Sequence, residues 1–269
     1  MEKHIIWGTL TLKTIHEEKW LFIGSDRRLE ICSKLFGEFG LASAHSNSNE
    51  YSDELGQLIA SFQPDHIVFP ILEMKGNIPP ELLPSGTKLY VGVASEQWVA
   101  TYESRGYPVE RYLQEERFIW ENAILTAEGF LREYYKDTNR CIKGRHFFVT
   151  GFGKVGKMTA KMIHSLGGEV TVAARSEAQL SEAVSLGYAI QSLQEDWTNE
   201  HSILVNTIPA QWLHLHNDST LRVYDLASAP GCLKPGSFAE YYTIHLGLPG
   251  KHFPDDAAKV LAEALLRMK

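Results

Sequence analysis

The sequence predicts an α/β protein of two doubly wound parallel-sheet lobes. Three observations lead there. Short apolar runs alternate with stretches of helical periodicity, the pattern of strands joined by crossover helices. A polar break at 137–144 (DTNRCIKG) is followed by a fresh start of the same pattern. The second run opens on a glycine turn set between a strand and a helix, at 149–176 (VTGFGKVGKMTAKMIHSLGGEVTVAARS).

In chain order, residues 5–14 alternate weakly and read as a strand. The run 20–26 (WLFIGSD) reads as a strand meeting a turn. Over 27–39, Leu29, Ile31, Cys32, Leu35, Phe36 and Phe39 fall near helical spacing, and Gly40 is a natural C-terminal cap. The stretch 45–54 (HSNSNEYSDE) reads as a short polar loop. Buried strands follow at 65–70 (DHIVFP) and 88–94 (KLYVGVA), separated by a polar, Pro-rich loop at 74–86. Residues 117–135 read as one long helix carrying Phe118, Ile119, Ile124, Leu125, Phe130 and Leu131 between charges, and this helix bridges two lobes.

The second lobe starts with the strand HFFVT and a helix over 154–166. Val155, Met158, Met162, Ile163 and Leu166 share one face of that helix. EVTVAA is the next strand. The spacing SEAQ (176–179) predicts a capping box that opens a helix closed by Gly187. Strands are then expected within 202–209 (SILVNTIP), 222–228 (RVYDLAS) and 241–250 (YYTIHLGLPG), with Pro209 opening a helix. From Pro254 an amphipathic helix presents Ala257, Val260, Leu261, Ala264, Leu265 and Met268, and the first lobe is where it packs.

The glycine turn carries the first functional inference. Gly151, Gly153 and Gly156 take the three positions of the dinucleotide-binding fingerprint. The first makes the tight turn, the second admits the pyrophosphate, and the third lets helix and strand pack closely. Phe152, Lys154 and Val155 complete the turn, and the helix start offers unpaired N–H groups to phosphate. At the end of the next strand, Ala174 stands where NAD sites usually carry an acid. Arg175 and Ser176 follow, a guanidinium and a hydroxyl suited to a ribose 2′-phosphate. This favours NADP(H) over NAD(H); the plainer reading of Arg175 is a solvated residue after a strand. Two further loops sit at strand ends. Asn206, Thr207, Ile208 and Pro209 are expected on the adenosine and ribose side, and Leu226 and Ala227, after Asp225, near the nicotinamide; either loop reads equally as ordinary loop chemistry. The expected organisation is a substrate or partner lobe (1–116), an inter-domain helix (117–136), a Rossmann dinucleotide-binding domain (137–250) and a C-terminal helix (251–269) returning to the first lobe.

Composition narrows the class. In 269 residues the apolar fraction is 44% and the charged fraction 22%, as in globular proteins. A net charge of −7 argues against nucleic acid or an anionic membrane as partner. Cys32, Cys141 and Cys232 lie far apart, which suits a reducing compartment and argues against a disulfide framework or a zinc site. The N-terminal stretch lacks the apolar core of a signal peptide, and no apolar run reaches the ~20 residues of a membrane span. The expectation is a cytoplasmic protein.

Four stretches in order resemble the dipicolinate synthase A-subunit family: GSDRRLEICSKL, GFGKVGKMTAKMIHSLGGEVTVAARS, VNTIPA with DLASAPG, and GLPG before the terminal helix. NAILTAEG (122–129) is similar to the family's inter-domain helix. The likeness runs from Trp20 to Met268. It implies a two-lobed relative of 2-hydroxyacid dehydrogenases. It also implies oxidation of dihydrodipicolinate to dipicolinate with NADP+ during spore formation, beside a flavoprotein-like B-subunit. That would place it in the mother cell of a spore-former, in a homo- or hetero-oligomer. The chain departs from the family at Gly24-Ser25-Asp26-Arg27-Arg28 and after GLPG, where Lys251-His252-Phe253-Pro254-Asp255-Asp256 puts an acidic pair at a helix start.

For the carboxylates of a dicarboxylate substrate, Arg27 and Lys251 are the expected cations, with Arg28 behind them; Arg27 reads equally as a surface residue at a helix start. Asp26 is equally placed as a helix N-cap. Asp225 is a candidate base or orienting group, with a structural hydrogen-bonding role as its alternative. His245, just before GLPG, is the best-placed general acid or base. His214 and His216 lack further ligands in a recognisable pattern, so no metal site is expected. Two alternatives stand beside the synthase reading: a paralogue acting on another imino or keto acid, and a non-catalytic NADP-binding regulatory or partner subunit.

Overall fold

A computed structural model of the chain describes residues 18–193, 202–215, 219–237 and 240–269. The strand expected at 5–14 lies outside the described residues, as does His216. The described residues form two compact units. One takes in the residues up to Phe118 together with Pro254–Lys269; the other is Ile119–Phe253.

The first unit is built from β1 (Lys19–Ile23), α1 (Arg27–Glu38), β2 (Ala42–Ser46), α2 (Asp53–Phe62), β3 (His66–Val68), β4 (Lys88–Val91), α3 (Glu96–Glu103) and β5 (Val109–Arg111). Its strands run parallel in the order β2-β1-β3-β4-β5, the flavodoxin-like winding. β1 is buried on both faces. Trp20 and Phe22 meet Leu29, Cys32 and Phe36 of α1, while Leu21 and Ile23 meet Leu55 and Ile59 of α2. That is why β1 reads as an unbroken apolar run.

The polar loop expected at 45–54 is shorter than its sequence suggests. His45 and Ser46 end β2, in register with Phe22 and Ile23. Asp53 already opens α2, whose N-cap Ser52 accepts from Leu55 N–H at 3.3 Å. β2 is an edge strand of small and polar residues, none of them fully buried, so it carries no hydrophobic alternation to read.

α4 (Glu116–Thr138) begins in the first unit and runs on through the second. There follow β6 (His146–Thr150), α5 (Lys154–Ser165), β7 (Glu169–Ala173), α6 (Glu177–Ser185), β8 (Ala189–Gln191), β9 (Ile203–Asn206), β10 (Arg222–Asp225), β11 (Tyr242–Ile244) and α7 (Leu248–His252). The order β11-β10-β9-β6-β7-β8, all parallel, is the 6-5-4-1-2-3 winding of dinucleotide-binding folds. Its reversal falls between β6 and β9.

Four expectations need correction in this unit. α5 buries Gly156, Thr159, Ala160 and Ile163, whereas Leu166 is largely exposed. Ile163 of the expected stripe is buried beside these small residues, Val155, Met158 and Met162 are half-buried, and Leu166 falls outside the contact. Ser176 is the N-cap of α6, but its side chain makes no capping hydrogen bond. Pro209 opens no helix: Ala210 N–H turns back to Ile208 C=O, and the chain goes on to a bridge between Leu213 and Leu233. GLPG does not extend β11, because Leu248 and Pro249 open α7, with Gly247 left-handed before them.

α8 (Pro254–Met268) returns to the first unit. Ala258, Leu261, Ala262 and Leu265 complete the core around Trp20, Cys32 and Phe36. The Cys32 thiol donates to Ala258 C=O at 3.1 Å, and burial pushes its pKa far up, so it is an inert packing group. No helix among the described residues is long and apolar enough to cross a membrane.

Candidate dinucleotide site

β6 is buried between helices on both faces and delivers Gly151 to the carboxyl edge of the sheet, where Gly151 N–H bonds Ala173 C=O at 2.8 Å. Gly151 has φ +84°, and a Cβ there would lie 2.7 Å from Thr207 Oγ1 and 2.9 Å from Ile208 Cγ1. A Cβ on Gly156 would stand 2.0 Å from Gly151 C=O, so α5 rests directly against the turn. Gly153, the N-cap of α5, is different. A Cβ there would meet nothing within 4 Å. The space ahead of the helix start is open, its N-cap has no side chain to satisfy the first N–H groups, and no acidic residue stands in the first turn. Shape and polarity therefore fit a pyrophosphate. Phe152 points away into the core with Tyr188 beside it. Val155 is half-buried, and Lys154 and Lys157 lie over the Trp120 ring of α4.

β7 ends in the buried Ala173 and Ala174, after which Arg175 and Ser176 are exposed. Among the described residues, Arg175 pairs with no carboxylate, and no acid stands at the end of β7.

The neighbouring strand ends carry a polar chain that the sequence did not announce. Thr150, Asn206 and Asp225 stand in register at the ends of β6, β9 and β10. Thr150 Oγ1 donates to Asn206 Oδ1 at 2.8 Å, and Asn206 Nδ2 donates to Asp225 Oδ1 at 2.7 Å. Asn206 Oδ1 also accepts from Ile208 N–H and from Trp212 Nε1. Asp225 Oδ1 accepts from Ala227 N–H at 3.0 Å; its Oδ2 accepts from Cys232 N–H at 2.6 Å and Tyr242 Oη at 2.8 Å. A Cβ on Gly231 would stand 2.2 Å from Tyr242 Oη and 3.0 Å from Asp225 Oδ2, so only glycine fits this fold of the loop. Thr207 Oγ1 is committed to Thr150 C=O at 2.9 Å. The side chains of Asn206, Thr207 and Asp225 thus shape the two loops from within. What the loops present outward is Ile208, Pro209 and Leu226, with Ala227 buried. The carboxylate of Asp225 already has four donors, which tie it to both loops.

His245 follows β11 and is only 8% exposed. Its ring stacks on Tyr224 at 5.5 Å, and Tyr224 packs against Phe130 and Tyr134 of α4. Burial lowers its pKa, with Glu133 and Asp137 opposing that shift. Its Nε2 is buried without a hydrogen-bond partner in the structure. This position is inside the helix–sheet layer.

Lys251, expected as a substrate cation, is held with His252 on the carboxylate of Glu133, with His252 Nε2 to Glu133 Oε1 at 2.5 Å. Burial raises the Glu133 pKa, but the hydrogen bonds from Lys251 and His252 outweigh it and hold the carboxyl down at about 2. In the first unit, Asp26 is the N-cap of α1 and accepts from Arg28 N–H at 2.9 Å. The Arg28 guanidinium folds back onto the same carboxylate. Burial opposes ionisation of Asp26, yet Arg28 holds its pKa below the ordinary value. Arg28 is thereby committed, while Arg27 is exposed at the start of α1. Among the described residues no three His, Cys, Asp or Glu side chains gather to hold a metal ion.

Two parallel-sheet units, one wound as a dinucleotide-binding domain with an open glycine turn, define a two-lobed protein of the dehydrogenase fold. D-lactate dehydrogenase from Escherichia coli shares it with a TM-score of 0.58 over 93% of this chain and 95% of that chain, at 11% identity. Within that class, the dipicolinate synthase A-subunit from Bacillus halodurans superposes with a TM-score of 0.75, covering 94% of this chain and 98% of its own at 21% identity. In sequence, the dipicolinate synthase A-subunit of Bacillus subtilis is 32% identical over 159 residues, 55% of this chain and 52% of that protein, so the match spans about half of the curated relative's length. No protein-family model matches the chain. The chain is thus similar in sequence, over about half of each length, to a dipicolinate synthase A-subunit, and shares the fold of two solved A-subunit structures.

Proposed function

We propose that this chain is an NADP-dependent oxidoreductase of the dipicolinate synthase A-subunit kind. It would move hydride between a small dicarboxylate imine or dihydropyridine, dihydrodipicolinate in the first instance, and a nicotinamide. The single observation that carries the reading is the glycine turn, where Gly151 and Gly156 are required by close approach and Gly153 leaves open the space ahead of α5. Backbone N–H groups at the start of α5 take the pyrophosphate. Arg175, with no acid at the end of β7 to repel a 2′-phosphate, takes that group, and Ser176 adds a hydroxyl. The Thr150–Asn206–Asp225 chain holds the loops after β9 and β10 in place. The nicotinamide, when bound, supplies the hydride acceptor. Arg27 is the cation assigned to a substrate carboxylate. A flavoprotein-like second subunit, an oligomeric assembly and the cytoplasm of a sporulating mother cell belong to the same reading.

Titration with NADPH and NADH tests the cofactor. Arg175→Ala is expected to weaken NADPH binding about 10- to 100-fold, the worth of a lost charge-assisted hydrogen bond, and to leave NADH within about twofold. Wild-type protein that binds NADH as tightly as NADPH would remove the NADP assignment. Turnover is tested by NADP+ reduction with freshly generated dihydrodipicolinate, with and without a flavoprotein-like partner.

A second reading has its own support. Lys251 is tied to Glu133, Arg28 to Asp26, and Asp225 is saturated by donors. Three of the groups assigned to chemistry or substrate thus have structural work. A dinucleotide-binding partner subunit without catalysis of its own, or a paralogue with another imino or keto acid, fits that arrangement. Tight NADPH binding with no turnover under either assay condition would select the non-catalytic form.

A further inference from the structure

α5 begins in an electrostatically unusual way. Cations at a helix N-terminus oppose the macrodipole, and acids are the usual residents. Here Lys154 is the first residue of the helix and Lys157 stands one turn on, with no acid in the first turn. Both ammonium groups lie over the ring of Trp120, at 5.7 and 5.9 Å from its centroid, within the range of a cation–π contact. Lys157 is further enclosed by the Phe152 ring at 5.8 Å and by Glu182 at 2.8 Å. Trp120, Lys154 and Lys157 all belong to the second unit. Lys157 is already ion-paired with Glu182, so Lys154, at the first position of the helix and over the indole, is the side-chain charge that adds to the backbone N–H groups.

We propose that Trp120 is a positioning residue of the dinucleotide site, its ring aligning Lys154, flanked by the Glu182-paired Lys157, to meet the negative charge of the cofactor's phosphates. The inference rests on the dinucleotide reading above. Trp120 acts through the lysines and makes no contact of its own with the cofactor.

The test is calorimetric NADPH binding to the full chain, at several salt concentrations, in a mutant cycle. Trp120→Leu is expected to weaken binding ~5- to 10-fold, as two modest cation–π contacts are lost. It should also make the dependence of log Kd on log salt shallower. Trp120→Phe keeps a ring face and stays within about threefold of wild type. In the Lys154→Gln/Lys157→Gln background, adding Trp120→Leu changes Kd by less than about twofold, because nothing remains for the ring to position. A merely structural tryptophan would give the same loss in both backgrounds and an unchanged salt slope, and either result overturns the proposal. So does a Trp120→Leu protein that binds like wild type. If Trp120→Leu fails a thermal-unfolding check, Trp120→Phe and the lysine variants still decide through the salt slope. Wild-type protein that binds neither NADPH nor NADH would bring down the dinucleotide reading itself, and this inference with it.

Discussion

Asp225 ends its strand fully buried, with no cation paired to it among the described residues. A buried carboxylate is tolerable only when hydrogen bonds replace its hydration. Four donors do so, from Asn206, Ala227, Cys232 and Tyr242. Asp225→Asn would set an NH2 group against donors and is expected to cost about 2–3 kcal/mol in denaturant unfolding. A loss below about 1 kcal/mol would show that the chain of bonds does not anchor the two loops. Residue identity alone located Asn206, Thr207 and Asp225 at strand ends but not their partners. The signal was there in one respect: each of Thr150, Asn206 and Asp225 is the polar last residue of an apolar strand. Only register tells that the three stand side by side. The three glycines were legible because their spacing reports a backbone requirement, which is local.

At the scale of elements, strands buried on both faces and long amphipathic helices were readable. Edge elements were not. β2 and β8 are short and exposed on their outer side, so nothing imposes a pattern on them. On α5 only Leu166 of the apolar stripe is left exposed. Gly156, Thr159, Ala160 and Ile163 make the buried contact, and Val155, Met158 and Met162 mark its flanks. α7 is held by a partner remote in sequence, Glu133 of α4, through Lys251 and His252. Glu133→Gln should lower stability by about 1–3 kcal/mol near neutrality. The pH dependence has a definite sign. The folded pKa of about 2 lies under the ordinary value of 4.5, so the unfolded chain binds the proton first as acid is added. The stabilisation is complete above about pH 4.5 and fades toward pH 2. The gap between wild type and variant in urea unfolding should therefore narrow across that window; a constant gap would assign the loss to packing.

At the scale of the whole molecule, each unit has its own core, and the residues of the glycine turn, the Arg175 segment and the polar chain all belong to the second. α8 completes the first, with Leu265 fully buried beside Trp20 and Phe36. Leu265→Ala is expected to cost about 2–4 kcal/mol in the unfolding of the first unit. The affinity for NADPH should stay within about twofold. A matching loss of affinity would mean that the dinucleotide site depends on the first core.

Sequence by itself determined the two-lobed parallel α/β class, the glycine turn, the absence of an acid at the end of β7 and the return of the last helix. Each is written in local periodicity or in a backbone constraint carried by neighbouring residues. Tertiary structure alone decided that Lys251 serves Glu133, that Arg28 serves Asp26, that His245 lies within the helix–sheet layer and that Lys154 and Lys157 lie over the ring of Trp120. The physical reason is range. A hydrogen bond, an ion pair or a ring contact depends on which side chains meet in space, and those partners are set by strand order and helix packing.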